Sequence, residues 1–342
     1  MVGLEDVAQR AGVSVATASR ALSRPDKVAA ATRERVTSAA RDLGYQVNQH
    51  ARNLRQGASR HLGLIVTDIL NPFHATLAKG VQDAAAERDY TVFLFNTDEA
   101  PEKERRALTT LRGHLPRGLI IAPTPGARDN LKLVAQLPVI EVDRASGRPG
   151  AHSVMVDNTA GARAAVEHLI QLGHRRIGMI VGQLDITTAQ ERLQGYRDAL
   201  AGAGIAYQGD LVLPGQHREE DGRAAATALL LRPPETRPSA LFVGNNEMTV
   251  GAVLAARALG LRIPGDLSIV GFDDSRWAQT MHPTLTVVAQ PAYDLGVLAC
   301  QTLLNMLERG AGASVTTIRL GTTLIVREST GPPAPVPLSA TY

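Results

Sequence analysis

Residues 4–22 read Leu-Glu-Asp-Val-Ala-Gln-Arg-Ala-Gly-Val-Ser-Val-Ala-Thr-Ala-Ser-Arg-Ala-Leu, and their spacing predicts a helix, a tight turn and a second helix. Leu4, Val7, Ala8 and Ala11 recur at i, i+3, i+4 and i+7, one apolar face of the first helix. Gly12 suits the left-handed residue that stops a helix, and Ser14 suits the N-cap of the next. Ala18, Ala21 and Leu22 give the second helix an inner face, leaving Val15, Ala16, Thr17, Ser19 and Arg20 outside. A short, small-faced helix carrying an Arg fits the major groove of DNA. The same spacing also suits an ordinary helical hairpin within a larger core.

Working outward, Val28 and Thr32-Arg33-Glu34-Arg35-Val36 open a third helix, with Thr32, Val36, Ala40 and Leu43 inward and Gly44-Tyr45 at its end. Three helices in so short a stretch make a marginal bundle, because so small a domain buries little surface. Here the chain resembles the LacI/GalR-type transcription regulators. The matching residues are Asp6-Val7-Ala8, Ala11-Gly12-Val13-Ser14, Thr17, Ser19-Arg20, Thr32-Arg33, Val36, Leu43-Gly44-Tyr45, Asn48, Ala51 and Leu54. The resemblance implies DNA contacts from Ser14, Val15, Ala16, Thr17, Ser19, Arg20, Lys27, Thr32, Tyr45, Asn48, Ala51 and Leu54. The chain departs from the family at Gly3 and Ala29, where Ser or Thr caps are usual, and at Ala18, which replaces a Val. A lost cap costs about 1 kcal/mol, so a headpiece of low stability is expected.

Charge sharpens this. The chain is +3 overall, but residues 1–60 hold ten Arg and Lys against five acids, so the head is +5 and the remainder −2. The excess of positive charge coincides with the helix-turn-helix, as phosphate contact requires. Residues 48–54 are long enough for barely two helical turns, which are unstable alone. The plain reading is a flexible linker with Leu54 packed on the body. In the resembling family this segment forms a hinge helix when two chains meet on DNA. The residue matching Leu54 then wedges open a minor-groove base step, and Ala51 on the same side permits close approach of the partner helix.

From residue 61 onward, short apolar runs alternate with helical patterns. Strands are expected at Leu62–Val66, Thr91–Phe95, Gly118–Ala122, Val139–Val142 and Ser153–Val156, then at Ile177–Val181, Leu211–Leu213, Leu241–Val243, Leu267–Phe272 and Leu285–Ala289. Helical stretches such as Phe73–Arg88, Asn158–Leu172 and Glu247–Leu259 lie between them. Two such series predict two doubly wound parallel-sheet subdomains with a cleft at the carboxyl ends of the strands. The expected division is a headpiece at 1–46, a hinge at 47–60, a two-lobed body at 61–330 and a disordered tail at 331–342. Within the body, 61–157 with 291–320 make one lobe and 158–290 with 321–330 the other.

Polar residues recur just past these strands: Asn71, Asp143-Arg144, Arg192, Asn245-Asn246, Asp273-Asp274 and Gln290. Any one of them is explained as a loop residue capping a helix. Together they offer planar donors and acceptors that match the adjacent hydroxyls of a sugar. The body also resembles the periplasmic sugar-binding-protein fold of the same regulator family. That resemblance places Phe73, Asp143, Arg144, Arg192, Asn245, Asp273 and Gln290 at ligand-contacting positions of the ribose type. His217 stands where an aromatic packs on the ligand, and Ile186 adds an apolar wall.

Other classes lack their signatures. No phosphate-cradling Gly-rich loop, nucleophile elbow or metal-spaced His pair is present, so no enzyme, cofactor or metal is expected. The lone Cys300 forms no intrachain disulfide. No stretch is long and apolar enough to span a membrane. An export signal, which a transport binding protein needs, is replaced by the basic helical head, so a cytoplasmic location is expected. The implied protein is a homodimeric repressor of a pseudo-palindromic operator, controlled by a sugar. Helices Phe73–Arg88 and Met248–Leu259 are the dimer helices implied by resemblance. A nucleobase or nucleoside acting as co-repressor is the alternative, although Arg144 stands where a purine-stacking pocket needs an aromatic.

Overall fold

The computed structural model describes residues 2–23, 25–45, 59–309 and 315–334. The chain forms two compact units divided between Arg60 and His61. In the first, α1 (Leu4–Ala11) and α2 (Val15–Ser23) are separated by the turn that the sequence predicts, and α3 (Ala30–Asp42) packs on both. Gly12 adopts φ +64°, and the Ser14 hydroxyl accepts from the Thr17 amide at 3.1 Å. Neither Gly3 nor Ala29 has a side chain able to cap, although the Gly3 amide donates to Asp6 Oδ2 at 2.8 Å. The buried core is Val7, Val36 and six alanines, which bury little apolar surface each. On α3 the buried positions are Val36, Ala39 and Ala40, while Thr32 stays half-buried.

The second unit has two lobes. The first is built from β1 (His61–Val66), α4 (Pro72–Ala86), β2 (Thr91–Asn96), α5 (Pro101–Gly113), β3 (Gly118–Ile121), the short α6 (Ala127–Asn130), β4 (Val139–Val142) and β5 (His152–Val156). The chain then crosses to α7 (Asn158–Gln171), β6 (Ile177–Val181), α8 (Thr187–Gly202), β7 (Val212–Pro214), α9 (Glu219–Leu230), β8 (Ala240–Val243), α10 (Asn246–Ala258), β9 (Ser268–Phe272), α11 (Arg276–Thr280) and β10 (Thr286–Ala289). It returns for α12 (Ala292–Arg309) and β11 (Thr317–Leu320), then crosses a third time to β12 (Thr323–Ile325).

The first sheet runs β11-β5-β4-β3-β1-β2 and is wholly parallel. The second runs β12-β10-β9-β8-β6-β7 and is parallel except for β12 against β10. Strands with no exposed residue, such as β3, β4 and β8, are continuous apolar or nearly apolar runs, as helices on both faces require. Helices α4 and α12 touch through glycines. A Cβ on Gly80 would stand 2.2 Å from the Tyr293 carbonyl oxygen, and one on Gly296 2.1 Å from that of Leu77. Cys300 is buried on α12, and burial pushes its thiol up to about 12.

The end of the body differs from the sequence expectation. Gly331, assigned to a disordered tail, is anchored: its amide donates to Ser268 Oγ at 3.0 Å and its carbonyl accepts from His174 Nε2 at 2.9 Å. The buried His174 and Ser268 need partners, and Gly331 supplies them.

Candidate functional site

A cleft of about 410 Å³ lies between the two lobes of the body, at the carboxyl ends of their strands. Phe73, Asp143, Arg144, Arg192, His217, Asn245, Asp273 and Gln290, all read from the sequence, line it. Ile186 does not. It precedes α8, buried, and is not among the residues that line the cleft, so the apolar wall expected there is corrected; Thr188 is the lining residue of that turn.

Local structure explains how each side chain is aimed. Asn71 caps α4 by accepting from the Phe73 amide at 2.9 Å, which fixes the first turn and turns Phe73 toward the cleft. Asn245 caps α10 by accepting from the Met248 amide at 2.9 Å, and its Nδ2 donates to the His217 carbonyl at 3.2 Å. The capping role and the cleft position therefore coexist in one residue. Asp98, Glu99, Asp143, His217 and Asp273 all adopt positive φ, between 49° and 77°. Side chains rarely hold this conformation, and such residues gather at functional sites. At Gly182 a Cβ would stand 2.3 Å from His217 Cε1, so the glycine makes room for the imidazole.

The electrostatics centre on two buried guanidiniums. Arg144 donates through Nη1 and Nη2 to the two oxygens of Glu99, at 2.8 and 3.1 Å, and through Nε to Asp143 at 3.2 Å. Arg192 donates to Asn158 Oδ1 at 2.8 Å and to the Gly244 carbonyl, and its guanidinium lies 3.7 Å from the centre of the Phe272 ring. Asp273 accepts from Gln290 Nε2, and burial raises its pKa above the ordinary carboxylate value. Arg144, against the opposing burial, holds Glu99 below its ordinary value. His217 is pushed down to about 4, first by burial and then by Arg144, so it is neutral at physiological pH. His217 Nε2 and Gln290 Oε1 are buried without a hydrogen-bond partner, two polar atoms poised for a ligand. Among the described residues, no cluster of His, Cys, Asp and Glu has the arrangement of a metal site, and no helix is long and apolar enough to cross a membrane.

Sequence reading missed Glu99, Asp98, Asp68 and His74, which also line the cleft. The signal for Asp98 and Glu99 was their place two and three residues past the end of β2 at Asn96, a looser form of the strand-end rule that found Asp143. His74 follows Phe73 on α4 and bonds Asp68 O at 3.1 Å through Nδ1.

In the helical unit, Val15, Ala16, Arg20 and Lys27 are exposed, with Val15 at 44%. Ser14 is exposed, and its hydroxyl lies 2.8 Å from that of Thr17. Thr17, Ser19, Thr32 and Tyr45 are half-buried, and Tyr45 packs on the helical core. Asn48, Ala51 and Leu54 lie outside the described residues.

Comparison with known proteins matches both units. Residues 59–324 match the family described as periplasmic binding proteins and sugar binding domain of LacI family. Residues 3–48 match bacterial regulatory proteins, lacI family. The chain is 35% identical to the ribose operon repressor of Halalkalibacterium halodurans over 96% of its own length and 97% of that protein's. A crystal structure of a putative ribose operon repressor from Burkholderia thailandensis is 37% identical, covers 78% of this chain and 99% of its own, and superposes with a TM-score of 0.72. The lac repressor dimer bound to operator and an anti-inducer is 28% identical, covers 96% of this chain and 99% of its own, and gives a TM-score of 0.84.

Proposed function

As this chain belongs to the lacI family of bacterial regulatory proteins, we propose that it is a cytoplasmic homodimeric repressor whose hold on operator DNA is released by a sugar bound in the interlobe cleft. The family is one of regulators and not of enzymes. Each headpiece lays α2 in a major groove of a pseudo-palindromic operator. Val15 and Ala16 offer apolar contact to thymine methyls, Arg20 reaches a base edge or phosphate, and Lys27, Thr32 and Tyr45 contact the backbone. Asn48, Ala51 and Leu54 belong to the hinge segment, with Leu54 as the minor-groove wedge.

The observation that carries the sugar reading is the cleft itself. Asp143, Asn245, Asp273 and Gln290, from four separate strand ends, face one space with Phe73 beside them. A sugar hydroxyl donates to a carboxylate and accepts from an amide or guanidinium, so this set matches adjacent hydroxyls. Relatives named as ribose operon repressors point to a pentose. Binding alters how the lobes sit, and this changes the spacing of the two hinge segments. Coupling of this kind is reciprocal, so operator DNA weakens sugar binding by the same factor.

Isothermal calorimetry with D-ribose tests the site. Wild-type protein binds it and Asp273→Ala does not. Undiminished binding by Asp273→Ala would refute the assignment, and binding of a nucleobase in place of ribose would favour the co-repressor alternative.

A further inference from the structure

We propose that Glu99 sets the charge class of the effector, so that the cleft takes an uncharged sugar and turns away the same sugar carrying a phosphate. This rests on the sugar reading above.

A phosphate site needs an excess of cationic donors. In this cleft carboxylates outnumber cations: Asp68, Asp98, Glu99, Asp143 and Asp273 stand against Lys103, Arg144, Arg192 and Arg218. Arg144 gives both terminal nitrogens to Glu99 in a fork-to-fork pair and its Nε to Asp143, with its side chain 6% exposed. Arg192 directs Nε to Asn158 and Nη1 to the Gly244 carbonyl and lies over Phe272, with Asp273 and Asp143 the carboxylates that act on its charge. Lys103 is paired with Asp98. The remaining cation of the lining, Arg218, is exposed. An entering dianion would therefore meet more carboxylates than cations, with Glu99 and Asp143 already holding Arg144.

The unpartnered atoms tell the same story. His217 Nε2 and Gln290 Oε1 are buried without partners, and burial beside Arg144 keeps the imidazole neutral. A neutral ring nitrogen and an amide oxygen suit a hydroxyl, which both donates and accepts. They do not neutralise a phosphate. Glu99 is thus the residue that closes the charge of Arg144. The consecutive positive-φ residues Asp98 and Glu99 form the turn that carries its carboxylate back onto that guanidinium.

The test is calorimetry on the full chain with D-ribose and with D-ribose 5-phosphate, for wild type and Glu99→Gln. Wild type binds ribose and gives no measurable heat with the phosphate. In Glu99→Gln the guanidinium keeps Asp143 as its one paired carboxylate, the cleft loses a negative charge, and the preference for the free sugar narrows by about tenfold or more. Glu99→Ala carries the same expectation should Glu99→Gln not fold, and Glu99→Asp, which keeps the charge, retains the rejection. Wild type binding both ligands equally, or neutral variants with the wild-type ratio, would overturn the proposal and leave the sugar reading standing. Binding of neither ligand by wild type would remove the sugar reading and this one with it.

Discussion

Asn71, on the first lobe, and Asn246, on the second, exchange their side-chain amides: each Nδ2 donates to the other's Oδ1 at 3.1 Å. Both are buried, and Asn246 also donates to Ser275 Oγ at 3.2 Å. The pair ties the cap of α4 to the first residue of α10, across the cleft that the effector enters. Removing one amide leaves the other buried and short of a partner, at about 1–3 kcal/mol. Asn246→Ala is therefore expected to lose that much stability in urea unfolding. Asn71→Ala is expected to lose about 1 kcal/mol more, because it also removes the α4 cap. A double-mutant cycle is expected to show coupling of about 0.5 kcal/mol or more; additive losses would mean that the amides act independently.

Arg192 is planar against Phe272 and donates in two directions at once. Lys offers neither the stacked plane nor the fork. Arg192→Lys is expected to weaken D-ribose binding nearly as much as Arg192→Ala, by roughly 2–3 kcal/mol. Calorimetry on the two variants decides, and a lysine that restores affinity would mean that charge alone matters.

His217 makes a separable contribution to the pH dependence of stability. Its pKa in the fold is about 4, below the ordinary imidazole value of 6.5. The unfolded chain therefore binds a proton that the folded chain excludes, and stability falls as pH drops from about 6.5 toward about 4. His74, His168 and His174, each lowered by burial, act in the same direction. Replacing His217 by Gln is expected to remove part of this slope, no more than about 3 kcal/mol, and leave the share of the other three histidines. Denaturation melts across that pH window provide the measurement; an unchanged slope would place the imidazole in solvent.

The headpiece offers a prediction of opposite sign. Ala29 precedes α3 at φ −54° and ψ 140°, with no side chain to cap it. Ala29→Ser is expected to raise headpiece stability by about 1 kcal/mol, whereas Gly3→Ser gains only a few tenths, because glycine is itself a tolerable cap. Thermal melts of the full chain, followed on the helical unit, separate the two; equal gains would argue against the cap account.

Much of this was legible beforehand, for identifiable reasons. The helix-turn-helix announced itself through a 3.6-residue period and Gly12. The lobes announced themselves through buried parallel strands, which leave continuous apolar runs. Asp143, Asn245, Asp273 and Gln290 were legible because they sit at or just past the ends of those runs, whereas Phe73, Arg192 and His217 rested on the family resemblance. Strands β11 and β12 were not, since each is short, partly exposed and paired with a distant segment. Glu99 escaped because its role depends on Arg144, 45 residues away, and no local pattern signals such a pairing. Ile186 was misplaced because it was carried over from the family resemblance, which does not fix which residue at the start of α8 reaches the cleft. Gly331 was misread because proline-rich composition around it outweighed the needs of two distant buried groups, His174 and Ser268.

The most direct test of the whole account is fluorescence anisotropy with a labelled pseudo-palindromic duplex recovered by in vitro selection on the full chain. Titrations would be run with and without saturating D-ribose, for wild type and Asp273→Ala. Ribose is expected to weaken operator binding by wild type, by roughly 5–150-fold, and to leave Asp273→Ala bound. Operator affinity indifferent to ribose, under conditions where calorimetry shows the wild-type cleft filled, would contradict it.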